Sequence, residues 1–218
     1  MKYKFIDIGC GPFDVSSDIY GTNVKGMYIE PIKQFLDILP GSNSIDKVNA
    51  AITDFIGERE MDVWLLDEPI KYYTKDELHS IKETIDRKGI DIANTGLGRI
   101  INSGGGTFIE NRDSIPYEST KVNVKCITLK KLINDYNIEE VDHIKIDVEG
   151  HENIVLNQLL DIMRSTDFKI NNILQFEWND LSDRDELMKL AECFANEFNF
   201  KITHLHKYWN EDLILIKQ

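Results

Sequence analysis

Three short stretches of the chain combine glycines and ionisable residues in spacings suited to ligand chemistry. "FIDIGCG" ends an apolar run with Asp7 and follows it with Gly9 and Gly11; "YIEP" ends a second run with Glu30 and Pro31. "HIKIDVEGHENIVL" ends a third run with Asp147 and brings Glu149, His151 and Glu152 into the residues just after it. A glycine-rich turn after a strand lets a ligand approach the backbone, and the amides of the next helix start can hold an anionic or polar group. Ionisable groups beyond the end of a buried strand stand where open α/β sheets place their reactive sites.

The spacing narrows the ligand. A dinucleotide fingerprint requires a third glycine three residues after the second, and Asp14 stands there, which disfavours a pyrophosphate. Glu30 follows Gly11 by nineteen residues, where a carboxylate accepts hydrogen bonds from both ribose hydroxyls of an adenosine. A cofactor with an adenosine, no pyrophosphate, and a positive sulfonium and amino group for Asp7 to favour fits the set. S-adenosylmethionine is such a molecule. Taken singly, Gly9 and Gly11 also suit an ordinary tight turn, and Glu30 a surface acid before a helix start. The ordered succession of strand, turn, strand and acid is what points to a cofactor.

These residues need a sheet to carry them. Strand-like apolar runs alternate with helix-period segments, the pattern of a mostly parallel sheet with helices on both faces. "KFIDIG", "GMYIE", "KVNAAIT" and "MDVWLL" are expected as the first four strands, with "IKQFLDIL" as a helix after the second. Thr74 stands three residues before Glu77, a capping-box spacing at a helix start. From 89 to 119 the periodicity fades into a glycine-rich stretch, expected as a long loop insertion shaping a pocket within a single domain spanning 1–218. "KVNVKCI", "VDHIKIDV" and "NNILQFE" read as strands, and "TLKKLINDY", capped by Thr128, as a helix, as does "HENIVLNQLLDIM". In "DRDELMKLAECFANEF", Leu187, Leu190, Ala191, Phe194 and Phe198 form one apolar stripe. "KITHLHKYW" and "DLILIK" close the chain as an antiparallel hairpin at the sheet edge.

Composition sets the bounds. A length of 218 residues, 42% hydrophobic and 29% charged, suits one α/β domain with a full core. A net charge of -13 without a basic patch argues against nucleic acid and anionic membranes as partners. Cys10, Cys126 and Cys193 lie far apart and outside any CxxC spacing, so neither a disulfide framework nor a zinc site is expected. No leader or membrane span is legible, so a cytoplasmic protein is expected. Oligomerisation is left open.

At "FIDIGCGPFD", "YIEP", "NAAITD", "CITLKKLI", "VDHIKIDVEGHENIVL" and "LQFE" the sequence resembles, in family order, the FkbM family of S-adenosylmethionine-dependent methyltransferases. The resemblance implies a Rossmann-like class I methyltransferase fold and an O-methyltransferase acting on a hydroxyl of a sugar, glycan or related small metabolite. It implies Asp7, Gly9, Gly11, Glu30 and Pro31 as cofactor contacts and Ala51 with Ile52 as the lining of an adenine pocket. Two features depart from the family pattern. The glycine turn begins at the ninth residue, so a cap over the cofactor is expected to be missing or to come from elsewhere, and Leu129 is followed by Lys130 rather than an acid.

A sugar hydroxyl is a poor nucleophile while protonated, so a base or a metal is expected beside the acceptor. Asp147, Glu149, His151 and Glu177 are the catalytic candidates. Asp147 and Glu177, with oxygens from Asn179 or Asp180, also form a candidate set for a divalent cation such as Mg²⁺. His204 and His206 share a strand face but read as a solvated edge, and Trp178 and Trp209 as core or rim packing. An RNA ribose 2′-O methyltransferase and a catalytically silent methyltransferase-fold scaffold or regulator are the alternatives, the first opposed by the net charge.

Overall fold

The computed structural model describes residues 1–11, 16–65, 104–107, 120–178, 181–207 and 210–218. Its strands in chain order are β1 (Lys2–Ile8), β2 (Gly26–Ile29), β3 (Ile45–Val48), β4 (Ala51–Ile52), β5 (Gly57–Leu65) and β6 (Gly104–Thr107). They continue as β7 (Thr120–Ile127), β8 (Glu140–Ile146), β9 (Lys169–Glu177), β10 (Phe200–Lys207) and β11 (Asn210–Lys217). Its helices are α1 (Ser16–Tyr20), α2 (Lys33–Ile38), α3 (Leu129–Asp135), α4 (Glu152–Ser165) and α5 (Arg184–Phe198).

The apolar runs make a seven-stranded sheet in the order β10-β11-β9-β8-β1-β2-β3. From β9 to β3 every pairing is parallel. Near-continuous apolar strands of this kind need cover on both faces, and the sheet is the mostly parallel, helix-flanked one that the alternating pattern implies. α4 buries Val155, Leu156, Leu159, Leu160, Ile162 and Met163. The stripe of α5 buries Leu187, Leu190, Ala191 and Phe194, with Phe198 packed against the same core. Thr128 caps α3 by accepting from the Lys131 amide at 3.1 Å, and Asp183 caps α5 through the amides of Asp185 and Glu186. Among the described residues, no helix is long and apolar enough to cross a membrane.

The structure departs from the sequence reading in two places. "KVNAAIT" is not one strand but two, β3 in the large sheet and β4 in a separate four-stranded sheet of order β4-β7-β5-β6. The break falls at Asn49, whose side-chain amide donates to the carbonyls of Glu30 and Pro31, each at 2.9 Å, and so directs the chain away from β2. The terminal hairpin forms at the sheet edge as expected, with β11 antiparallel between β9 and the outer strand β10 and its Leu213 and Leu215 fully buried. Within 89–119, Gly104–Thr107 is a strand against β5, and the rest lies outside the described residues, as do Thr74 and Glu77.

Candidate active site

The two glycines of the first turn have different tasks. Both have left-handed backbone, with φ +76 at Gly9 and +58 at Gly11, which favours glycine. A Cβ at Gly9 would stand 1.9 Å from the carbonyl oxygen of Asp147, so the turn after β1 lies directly on the end of β8. Among the described residues, a Cβ at Gly11 would meet nothing within 4 Å. Gly9 is thus closed by packing, while Gly11 opens onto space beside the β2 end. Asp14 lies outside the described residues.

Glu30 ends β2 next to that turn and is only 4% exposed. Its carboxylate accepts from the amide of Ile32 at 2.8 Å and from that of Gly11 at 2.9 Å, one bond to each oxygen. Burial pushes the carboxyl up to about 7, against the pull of those two amides; Asp147 and Asp7 add a smaller rise. Pro31 is half-buried. Ala51 sits in an apolar cluster with Ile32, Phe35 and Met61, while Ile52 points into the main core.

Asp7, expected to face a cationic ligand, is 1% exposed. Its Oδ2 accepts from the hydroxyl of Ser16, the first residue of α1, at 2.7 Å. Lys145 stands opposite it in β8, with its ammonium 3.7 Å from Asp7 Oδ1 and 3.1 Å from Asp147 Oδ2. Burial works against that ammonium, but Asp147 and Asp7 outweigh it and raise the lysine above its ordinary range. Asp147 is the outward end of the trio, its side chain 32% exposed.

The loop from Asp147 to His151 is shaped by Glu152. This carboxylate is fully buried at the start of α4. It turns back to accept from the amides of Val148 at 2.8 Å and Gly150 at 3.1 Å, and from the hydroxyl of Ser182. The loop it holds is strained: Glu149 has φ 52, uncommon for a residue with a side chain, and Gly150 has φ 98. His151 is the N-cap residue of α4. Burial and then Arg59 hold its pKa below the ordinary histidine value, with Asp54 opposing them, so the imidazole is neutral at neutral pH. The smaller sheet therefore borders the site, and Gln158 of α4 fixes it there by donating to the carbonyl of Thr53 at 3.0 Å.

Glu177 ends β9 and is 6% exposed, with Oε2 lacking a hydrogen-bond partner among the described residues. Burial, together with Asp147, Glu149, Glu152 and Asp212, pushes its carboxyl up to about 9. The folded chain thus retains a proton that the unfolded chain releases near pH 4.5, and stability falls as pH rises from that value through about 9. Glu177→Gln removes this cost of charging. Its stability relative to wild type is expected to rise from pH 5 to pH 9 in urea unfolding, by up to about 1.4 kcal/mol per pH unit. A constant difference across that range would mean that Glu177 is charged throughout.

Asp147, Glu149 and Glu177 thus stand close enough at the ends of β8 and β9 for their charges to interact, while His151 faces Arg59 and Asp54. Among the described residues, no three His, Cys, Asp or Glu side chains converge in a metal-holding group; Asn179 and Asp180 lie outside the description. Trp178 is half-buried against the core, with the Arg184 guanidinium 4.9 Å from its ring centre. His204 and His206 lie on β10 at the sheet edge, and Trp209 is outside the described residues. Lys130 is exposed on α3.

Sequence reasoning gave no role to Lys145, Ser16 or Ser182. An ammonium within the apolar run of β8 was the one available signal for Lys145. In the sequence Glu152 is one of several acids after Asp147, and nothing local marks it as the buried anchor of the loop.

Residues 11–208 match the family model of the methyltransferase FkbM domain. No curated protein matches the chain. Among solved structures, similarity extends to the precorrin 8w decarboxylase encoded by gene MT0146 of Methanobacterium thermoautotrophicum. The two are 11% identical with TM-score 0.39, covering all of this chain and 82% of that one. It extends also to the ribosomal protein L11 methylase of Lactobacillus delbrueckii subsp. bulgaricus, 11% identical with TM-score 0.34, covering all of this chain and 72% of that one.

Proposed function

The chain belongs to the FkbM methyltransferase family, and from that premise we propose that it is an S-adenosylmethionine-dependent O-methyltransferase acting on a hydroxyl of a sugar, glycan or related small metabolite. One observation supports this most directly. Glu30, the Gly9 to Gly11 turn and Asp147 stand side by side at the carboxyl ends of three adjacent parallel strands, β2, β1 and β8. That is where open α/β sheets bind ligands.

The residues fit the donor. Each Glu30 oxygen keeps a lone pair after its backbone bond, enough for two ribose hydroxyls, and Gly11 leaves the turn open. Ala51 and Ile32 offer an apolar wall to an adenine. Bound there, S-adenosylmethionine would supply an electrophilic methyl group on a sulfonium. Methyl transfer to oxygen is an in-line displacement whose rate depends on alignment and on removal of the hydroxyl proton. Asp147 Oδ1, without a partner among the described residues, is suited to take that proton, since Lys145 holds Oδ2. His151, being neutral, is a second acceptor on this side. Glu177, holding its own proton, is suited to donate a hydrogen bond to the acceptor.

Calorimetry with S-adenosylmethionine and S-adenosylhomocysteine tests the donor half. Wild type is expected to bind both at about micromolar Kd, and Asp147→Asn to remain within about tenfold. A panel of nucleotide sugars and glycans, with and without Mg²⁺, tests the acceptor half, with turnover in Asp147→Asn reduced by about a hundredfold or more. Failure of wild type to bind either ligand would sink the proposal.

A further inference from the structure

Resting on that reading of the pocket, we propose that Lys145 is a charge-matching residue, whose ammonium, clamped between Asp7 and Asp147, keeps the site from over-binding the cationic methyl donor relative to its neutral product. The three side chains form a graded series from core to pocket, 1% exposed at Asp7, 12% at Lys145 and 32% at Asp147. Ser16 and Lys145 already hold Asp7, so its charge is committed inside the protein. Only Asp147 presents a carboxylate outward.

Asp147 is also close to the donor's place. Gly9 lies against its carbonyl, so the turn that would carry the methionine part of the cofactor adjoins the end of β8. With adenosine at Glu30 beside β2, a sulfonium would lie toward β8, the strand on the other side of β1.

In the reaction the hydroxyl oxygen bonds to the methyl carbon as the carbon–sulfur bond breaks. The electron pair of that bond stays on sulfur, and the hydroxyl proton passes to Asp147. Sulfur therefore begins positive and ends neutral. A bare carboxylate beside it would stabilise the charged reactant more than the transition state and so deepen the ground state without speeding transfer. Lys145 offsets that carboxylate at 3.1 Å.

A purely structural Lys145, present only to neutralise buried Asp7, predicts equal effects on every ligand. The decisive variant is the double substitution Asp7→Asn with Lys145→Met, which removes the ion pair without leaving a buried charge; thermal unfolding monitors its fold. Three ligands are titrated by calorimetry: S-adenosylmethionine, S-adenosylhomocysteine, and an analogue with an amine in place of the methylsulfonium. The double variant is expected to bind both cations about tenfold more tightly than wild type, a gain that shrinks with added salt. S-adenosylhomocysteine should move by less than about twofold. Lys145→Arg should keep the wild-type ratio. Equal shifts for all three ligands, or weaker binding of the cations alone, would overturn the inference while leaving the cofactor reading intact. Binding of none of them by wild type would overturn both.

Discussion

Glu30→Ala is expected to weaken S-adenosylhomocysteine binding by about a hundredfold or more. On the proposed cofactor reading, two charge-assisted hydrogen bonds to the ribose would be lost, each contributing about 1.5–3 kcal/mol. The amides of Gly11 and Ile32 lose their acceptor as well, so the turn itself loosens. Glu30→Gln separates the two effects, because it retains an oxygen for one amide but presents hydrogens to the other. The raised carboxyl, at about 7, adds a second signature. Below that pH the carboxylate must give up a proton before it can accept from both hydroxyls. Wild-type affinity should therefore climb about tenfold from pH 6 to pH 8, and Glu30→Gln should show no such rise. The neutral product is the right ligand for this profile, since it carries no sulfonium for Asp147 and Lys145 to sense. A flat wild-type profile would remove Glu30 from the ribose contact.

Gly9→Ala is expected to be severely destabilising. Left-handed backbone costs a residue with a side chain about 1–2 kcal/mol. The added carbon must also separate the turn from the Asp147 carbonyl, now 1.9 Å from where it would lie. A total loss of about 3–5 kcal/mol in urea unfolding is expected, within the range of serious core disruption. Gly11→Ala is the control, with φ +58 and open space around it. Only the backbone penalty remains there, about 1–2 kcal/mol. Similar losses at both positions would show that the close approach at Gly9 carries no energy of its own.

Much of this arrangement is legible in the sequence, where local pattern and tertiary demand coincide. β1, β2, β8 and β9 are apolar runs that end in or just before acids, and α5 announces itself through a helical stripe. The separation of β3 from β4 is not legible. No local signal in "KVNAAIT" marks the break, which depends on Asn49 reaching carbonyls eighteen and nineteen residues away. The antiparallel pairing of β5 with β7 is equally hidden, as it joins segments separated by some sixty residues. At the site, residue types reveal the carboxylates but not their states. Asp7 reads as a ligand contact, and no local pattern reveals that strand register also places Lys145 opposite it. Glu152 and Glu177 are both acids near strand or helix ends in the sequence. Burial then makes one the hub of a loop and leaves the other with a proton.

The position of β11 bears on how the protein is made. Of the seven strands in the large sheet it is the last to leave the ribosome, yet it lies inside, between β9 and β10. β10 therefore emerges with no direct partner in the finished sheet and must wait for the segment that follows it. Until Leu213 and Leu215 are available, β9 presents an open apolar edge next to Glu177. The nascent chain can assemble β1 and β2 early, but the flank bearing Glu177 closes only after residue 217 has been added.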